Sequence, residues 1–180
     1  RWMLDAAGLW FLTILAVVFA ASAAYALFFF KSVGASPRQE AFYAGAMLPF
    51  AAAMTGVILS RHLALMWVFV EATTLTSALL IYFERKKSSL EAAWKYVFIC
   101  SVGIALAFVG IILLSMGSAA VGTLYFEDLS RHAAQISPFW LKMAFAFILV
   151  GFGTKMGLAP VHAWLPDAHS EAPSPVSALL

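Results

Sequence analysis

The chain has 180 residues, 63% of them hydrophobic and only 11% charged, with a formal net charge of +2 and a mean hydropathy of +0.91. That composition excludes a soluble domain, which must cover itself with polar surface, and points to a membrane protein. With no basic stripe beyond Arg85-Lys86-Lys87, nucleic acid is excluded as an expected partner and the lipid bilayer takes its place.

Five apolar stretches are each long enough to cross a bilayer core of ~30 Å, which takes ~20 helical residues. They run from Gly8 to Phe30, Ala41 to Leu59, Leu63 to Phe83, Ala92 to Met116 and from Phe139 onward. Strands of a membrane barrel alternate apolar and polar positions, whereas these runs are apolar all round. The expected fold class is therefore all-α, a polytopic transmembrane helix bundle. The first run is a full span rather than the shorter core of a signal peptide. At the other end, Ser177-Ala178-Leu179-Leu180 reads as a continuing helix, so residues 1–180 are expected to form one transmembrane segment of a larger protein.

Charge sets the orientation. Lys31 and Arg38 lie in the first connection and Arg85, Lys86, Lys87 and Lys95 around the third, while the second and fourth carry only Arg61, Arg131 and Lys142. The positive-inside rule then places the first and third connections in the cytoplasm, and Arg1 and the loop near residue 125 on the opposite side. The stretch from Gly117 to Ser137 is the long connection. Within it, Leu124, Leu129 and Ile136 among polar residues fit either a short interfacial amphipathic helix or an irregular loop.

Some residues do not belong in apolar surroundings. Glu71 sits near the middle of "LMWVFVEATTLTSALLIYF", where a centred acid costs at least ~2.5 kcal/mol. A protonated carboxyl bonded to hydroxyls such as that of Thr74 accounts for it structurally; a proton or ion site is the favoured reading. Lys155, in "ILVGFGTKMGLAPVHAWLPDAH", poses the same problem with the opposite sign. In a plain helix it would lie over ~20 Å along the span and could snorkel to the far interface. Against that, apolar residues continue through Leu165, and Gly153, Gly157 and Pro160 surround the lysine. Glycine and proline disfavour helix, so a discontinuous helix is expected around Lys155 to Pro160. Broken backbone at membrane depth requires burial in protein or a wet cavity, which makes Lys155 part of an internal polar site.

His162 follows the break, and an imidazole can pass a proton in either direction, which suits a proton relay; a carbonyl-bonded structural histidine is the alternative. Asp167 and His169 read as a polar turn or cap. Lys95, early in the fourth span, fits snorkelling and a proton role equally. Tyr82, Trp94, Tyr96 and Trp140 fit an aromatic belt near the span ends. The lone Cys100 reads as packing. No phosphate loop, cysteine cluster, hydrolase elbow or carboxylate metal set is present, so no cofactor and no metal are expected in this chain.

The segment "KMGLAPVHAWLPDAHSEAPSPVSALL" resembles the signature of the antiporter-like subunits of respiratory complex I and of group 4 membrane-bound hydrogenases, which are similar to two Mrp cation/proton antiporter subunits. "WVFVEATTLTSALLIYF" looks like that family's fifth helix with its mid-membrane glutamate, and "AAWKYVFICSVG" like the start of the sixth. The resemblance implies that residues 1–180 match helices three to seven and the start of eight, from a subunit of about fourteen helices built on repeats. It implies proton-transfer roles for Glu71, Lys155, His162 and Lys95, and a glycine, Gly157, where complex I members often carry proline. "PSPVSALL" reads closer to the hydrogenase-4 branch than to the typical complex I branch. The implied function is proton translocation driven by redox chemistry in other subunits, with protons or Na+ as the coupling ion and other membrane subunits as partners. The implied location is a bacterial or archaeal cytoplasmic membrane. An Mrp-type antiporter and a purely structural membrane subunit are the rival readings.

The charge asymmetry makes a topological prediction. A cysteine placed at Ser88 should react with a membrane-impermeant thiol reagent only from the cytoplasmic side, and one placed within Gly117–Ser137 only from the other. The reverse pattern would invert the topology.

Overall fold

A computed structural model describes residues 3–180; the expectation for Arg1 lies outside them. Five long helices cross back and forth: α1 (Ala6–Val33), α2 (Pro37–Leu59), α3 (Leu63–Ile81, with a 3-10 turn at Tyr82–Glu84), α4 (Lys87–Gly117) and α6 (Pro138–Met156). All five are long and apolar enough to span a membrane. The short helices are α5 (Phe126–Arg131), α7 (Leu165–Glu171) and α8 (Ser174–Ser177). The fold is the all-helical membrane bundle that composition implied.

The ends of the spans follow local chemistry. Asp5 caps α1 by accepting from the Gly8 amide at 2.6 Å, and Gly34 ends that helix in the left-handed region at φ 63. Ser36 and Gln39 form a reciprocal capping box at the start of α2, with Pro37 in its first turn. One end of the bundle then carries the α1–α2 and α3–α4 connections, packed through Phe30, Tyr43 and Phe83. It holds the basic residues of both connections.

The opposite end is tied by Arg61, which pairs with Asp5 at 2.7 Å and approaches Glu127 at 3.9 Å. The Gly8 amide first, and then the Arg61 guanidinium, hold the Asp5 carboxyl below its ordinary range. The tie is therefore intact above that range and is lost as pH falls through the lowered value. Beside it, the Leu63 amide bonds Leu124 O and the Phe126 amide bonds Arg61 O. Leu129 and Ile136 are buried against Leu63, Ile111, Leu114 and Ala144. The long connection thus contains a short helix, whose Leu129 faces the bundle while its Phe126 is exposed.

The tightest packing lies between α4 and α6. Gly103 faces Thr154, Gly151 faces Ala107, Gly110 faces Ala144 and Ile148, and Gly117 faces Trp140. Small residues let two backbones approach where lipid supplies no hydrophobic drive between helices. A Cβ on Gly151 would run into the Ala107 amide nitrogen, where a backbone rather than a flexible side chain stands in the way.

This seam predicts that Gly151→Val lowers the yield of folded protein and its melting temperature in detergent, by the ~1–3 kcal/mol typical of overpacking. Gly45→Ala, with nothing within 4 Å of the added carbon, should leave both unchanged or slightly raised.

Candidate functional site

Lys155 lies in the last turn of α6, which ends at Met156. Gly157 takes φ 74; its amide bonds Thr154 O at 3.2 Å, and the Leu158 amide bonds Gly153 O at 2.9 Å. This glycine closure, with Trp164 Nε1 donating to Thr154 O at 2.8 Å, satisfies carbonyls that the break would otherwise strand. The chain then runs irregularly until α7 begins at Leu165. The expected discontinuity is therefore present, and it leaves the negative end of a helix dipole beside an ammonium at depth. From Pro138, Lys155 is about 25 Å along α6 at ~1.5 Å per residue.

The ammonium is not free. Nζ donates to Thr74 Oγ1 at 3.1 Å and to the Tyr96 hydroxyl, and lies 4.7 Å from the Tyr96 ring centre. Tyr96 is 1% exposed, its hydroxyl is 2.8 Å from Ser77 Oγ, and its ring is 5.0 Å from that of Trp164. Trp164 is itself buried, in a cluster with Tyr96, Cys100 and Ala168. The aromatic-belt expectation for Tyr96 is thus corrected. It turns to the packed side of α4, while its neighbour Lys95 turns outward, and it belongs to the interior.

Glu71 stands one turn from Thr74 on α3. Its Oε1 accepts from Ser101 on α4 at 2.7 Å, and its Oε2 is buried with no hydrogen-bond partner. Glu71 and Lys155 are near enough for their charges to interact, yet they form no ion pair among the described residues. The two charges, each half-buried, thus lie near one another between α3, α4 and α6 without touching.

The remaining candidates lie apart. Lys95 is exposed and pairs with Glu91 at 2.8 Å and Asp167 at 3.0 Å. The three line a small polar cavity of about 150 Å³ with Ser88, Ser170 and Glu171. Ser88 donates to Glu171 at 2.8 Å. Asp167 and His169 are helical rather than in a turn: Trp164 precedes α7, Pro166 sits in its first turn, and a short helix forms. His169 Nδ1 is 2.8 Å from Ser177 Oγ. His162 is exposed on the connection after the break; its carbonyl accepts from the Leu165 amide, and its ring makes no hydrogen bond among the described residues. The structure therefore places Glu71 near Lys155, and does not bring His162 or Lys95 into contact with either.

Residues 60–180 match the family described as NADH:quinone oxidoreductase/Mrp antiporter, TM. The chain belongs to that family. It is 39% identical over 150 residues to a hydrogenase-4 component F homolog of Methylacidiphilum infernorum, covering 81% of this chain and 32% of that protein. It is also 39% identical over 155 residues to a Na(+)/H(+) antiporter subunit A1 of Staphylococcus saprophyticus, covering 83% of this chain and 18% of the relative. Among solved structures it resembles a chain of the membrane-bound sulfane sulfur reductase, an archaeal respiratory membrane complex. There the TM-score is 0.80 at 29% identity, over 93% of this chain and 34% of that one. A chain of respiratory complex I from Thermus thermophilus gives a TM-score of 0.65 at 31% identity, over 74% of this chain and 29% of that one. The chain thus spans about a third or less of the proteins it matches. It is an integral, multi-pass membrane chain of the antiporter-like type.

Trp164 predicts how firmly the break is fixed. Trp164→Phe keeps an aromatic ring against Tyr96 and removes the donor to Thr154 O. The amides of Gly157 and Leu158 should then exchange with solvent deuterium roughly fivefold faster, for a bond worth about 1 kcal/mol. Unchanged exchange would show that the glycine closure alone holds the break.

Proposed function

We propose that this chain is part of a proton-translocating, antiporter-like subunit of a prokaryotic membrane-bound oxidoreductase, whose electron transfer belongs to other subunits. The observation that carries the reading is the Lys155 ammonium, held at a helix break beside Glu71 but not bonded to it. An ammonium and a carboxylate within a membrane span are each costly alone, so a pair that opens and closes can hold a proton and let it go. With Glu71 near, the ammonium keeps its proton. When the pair parts, the surrounding low dielectric favours release, and redox energy from elsewhere in the complex drives the parting.

On this reading His162, on the connection just after the break, takes the proton onward across the face where the rest of the subunit docks. Lys95, with Glu91 and Asp167, exchanges protons at the cytoplasmic end. Residues 1–180 correspond to helices three to seven and the start of eight. The partners are other membrane subunits, the location is the cytoplasmic membrane, and the chain holds no redox group of its own. A second reading, an Mrp-type cation/proton antiporter, draws on the 39% identity to the staphylococcal antiporter subunit. Vesicles energised by an electron donor separate the two. Proton uptake that follows electron flow and ignores added Na+ supports the oxidoreductase subunit; Na+-dependent proton exchange without an electron donor supports the antiporter.

The pair itself is tested by substitution, with proton translocation in vesicles normalised to assembled complex. Glu71→Gln should assemble but lose at least roughly tenfold in pumping, since the charge opposite Lys155 is gone. Lys155→Ala should abolish transfer. Lys155→Arg should assemble and pump poorly, because a guanidinium keeps its proton throughout the working range. Full activity of both Glu71→Gln and Lys155→Ala would reduce the pair to a structural one, and normal pumping by Lys155→Arg would remove lysine deprotonation from the cycle.

A further inference from the structure

Tyr96 is the buried group that this reading leaves without a task, and its hydrogen bonds have a direction. Ser77 has one hydroxyl proton, directed at the Thr73 carbonyl at 2.6 Å. At the 2.8 Å contact between Ser77 Oγ and the Tyr96 hydroxyl, the phenol must therefore donate. Its proton is turned toward Ser77, and its oxygen is left to accept from Lys155 Nζ. Thr74 repeats the arrangement: its hydroxyl points to Val70 O at 3.4 Å, and its oxygen accepts from Nζ at 3.1 Å.

Two oriented oxygens form a seat for an ammonium, and Glu71 is not part of it. A charge that alternates between partners needs two places to rest. Here one acceptor set is engaged, and the other, Glu71 Oε2, is buried and unpaired. The engaged seat is also joined to the helix break, since Tyr96 packs on Trp164 and Trp164 bonds Thr154 O in the last turn before Gly157.

We propose that Tyr96 is a positioning residue whose phenol oxygen, aimed by Ser77, is the second seat of the Lys155 ammonium, occupied when the side chain has left Glu71. The inference rests on the proton-translocation reading and adds to it the place where the opened pair is held. Trp164 makes that seat responsive to the segment after the break.

The test compares Tyr96→Phe, Glu71→Gln and the double variant in the full membrane complex, by proton translocation in vesicles normalised to assembled complex. Tyr96→Phe should slow pumping about tenfold, the value of one hydrogen bond to a charged group. Because both seats serve one side chain, the double variant should pump no worse than the slower single variant. A merely structural tyrosine predicts losses that multiply. Multiplied losses, or Tyr96→Phe pumping at the parent rate, overturn the proposal. Should Tyr96→Phe fail to assemble, Ser77→Ala carries the same comparison with a loss of roughly threefold, and multiplication there overturns it equally. If Glu71→Gln and Lys155→Ala both pump normally, the proton-translocation reading and this inference fall together. If those two fail to pump while Tyr96→Phe is normal, only the second seat falls.

Discussion

Everything at the centre of this bundle depends on how an ammonium is kept at membrane depth. Removing a charge from water costs several kcal/mol even after the protein relaxes around it, and no single contact of Lys155 offsets that. The solution is shared. α6 stops one residue beyond the lysine, so its carbonyl end faces the charge. Two hydroxyl oxygens from α3 and α4 complete the shell. The break in the helix is therefore part of the electrostatics, and Gly157 and Trp164 support the charge by fixing where α6 ends.

The same logic explains why the carboxylate stands off. A closed Glu71–Lys155 pair would be the simplest way to neutralise both, but it would also hold the lysine in one place. Ser101 satisfies one Glu71 oxygen and hydroxyls of α3 and α4 satisfy the ammonium, so each charge is partly provided for without the other. Thr73, Thr74 and Ser77 each return a hydrogen bond to their own helix. α3 can thereby carry polar side chains into the membrane without stranding their protons.

Much of this was legible in the sequence, for identifiable reasons. The spans followed from unbroken apolar runs, and the stop at Gly157 followed from glycine and proline around a lysine that has no other reason to be there. Glu71 and Lys155 stood out because a charge in an apolar run has few innocent explanations. Tyr96 did not, because a tyrosine near a span end also suits the interface. The signal lay in periodicity: Tyr96, Cys100, Gly103 and Ala107 recur at helical spacing, and all are buried, which puts the phenol on the packed face of α4 and Lys95 on the open one. The pairing of Lys95 with Asp167 could not be read, since it depends on where α7 returns after the break.

The glycine seam between α4 and α6 has a mechanical consequence. Where Gly103, Ala107 and Gly110 interdigitate with Thr154, Gly151 and Ile148, a slip of one helix along the other would drive side chains into backbone. The two spans are keyed together into a single strut. On the proposed mechanism, a ratchet of α6 past α4 is thereby closed as a way to part Lys155 from Glu71. What is left is the lysine stem itself, four methylenes with free torsions, swinging against a fixed wall, and small tilts of α3 against the strut. The moving part of such a machine is then a side chain, and the helices around it serve as its housing.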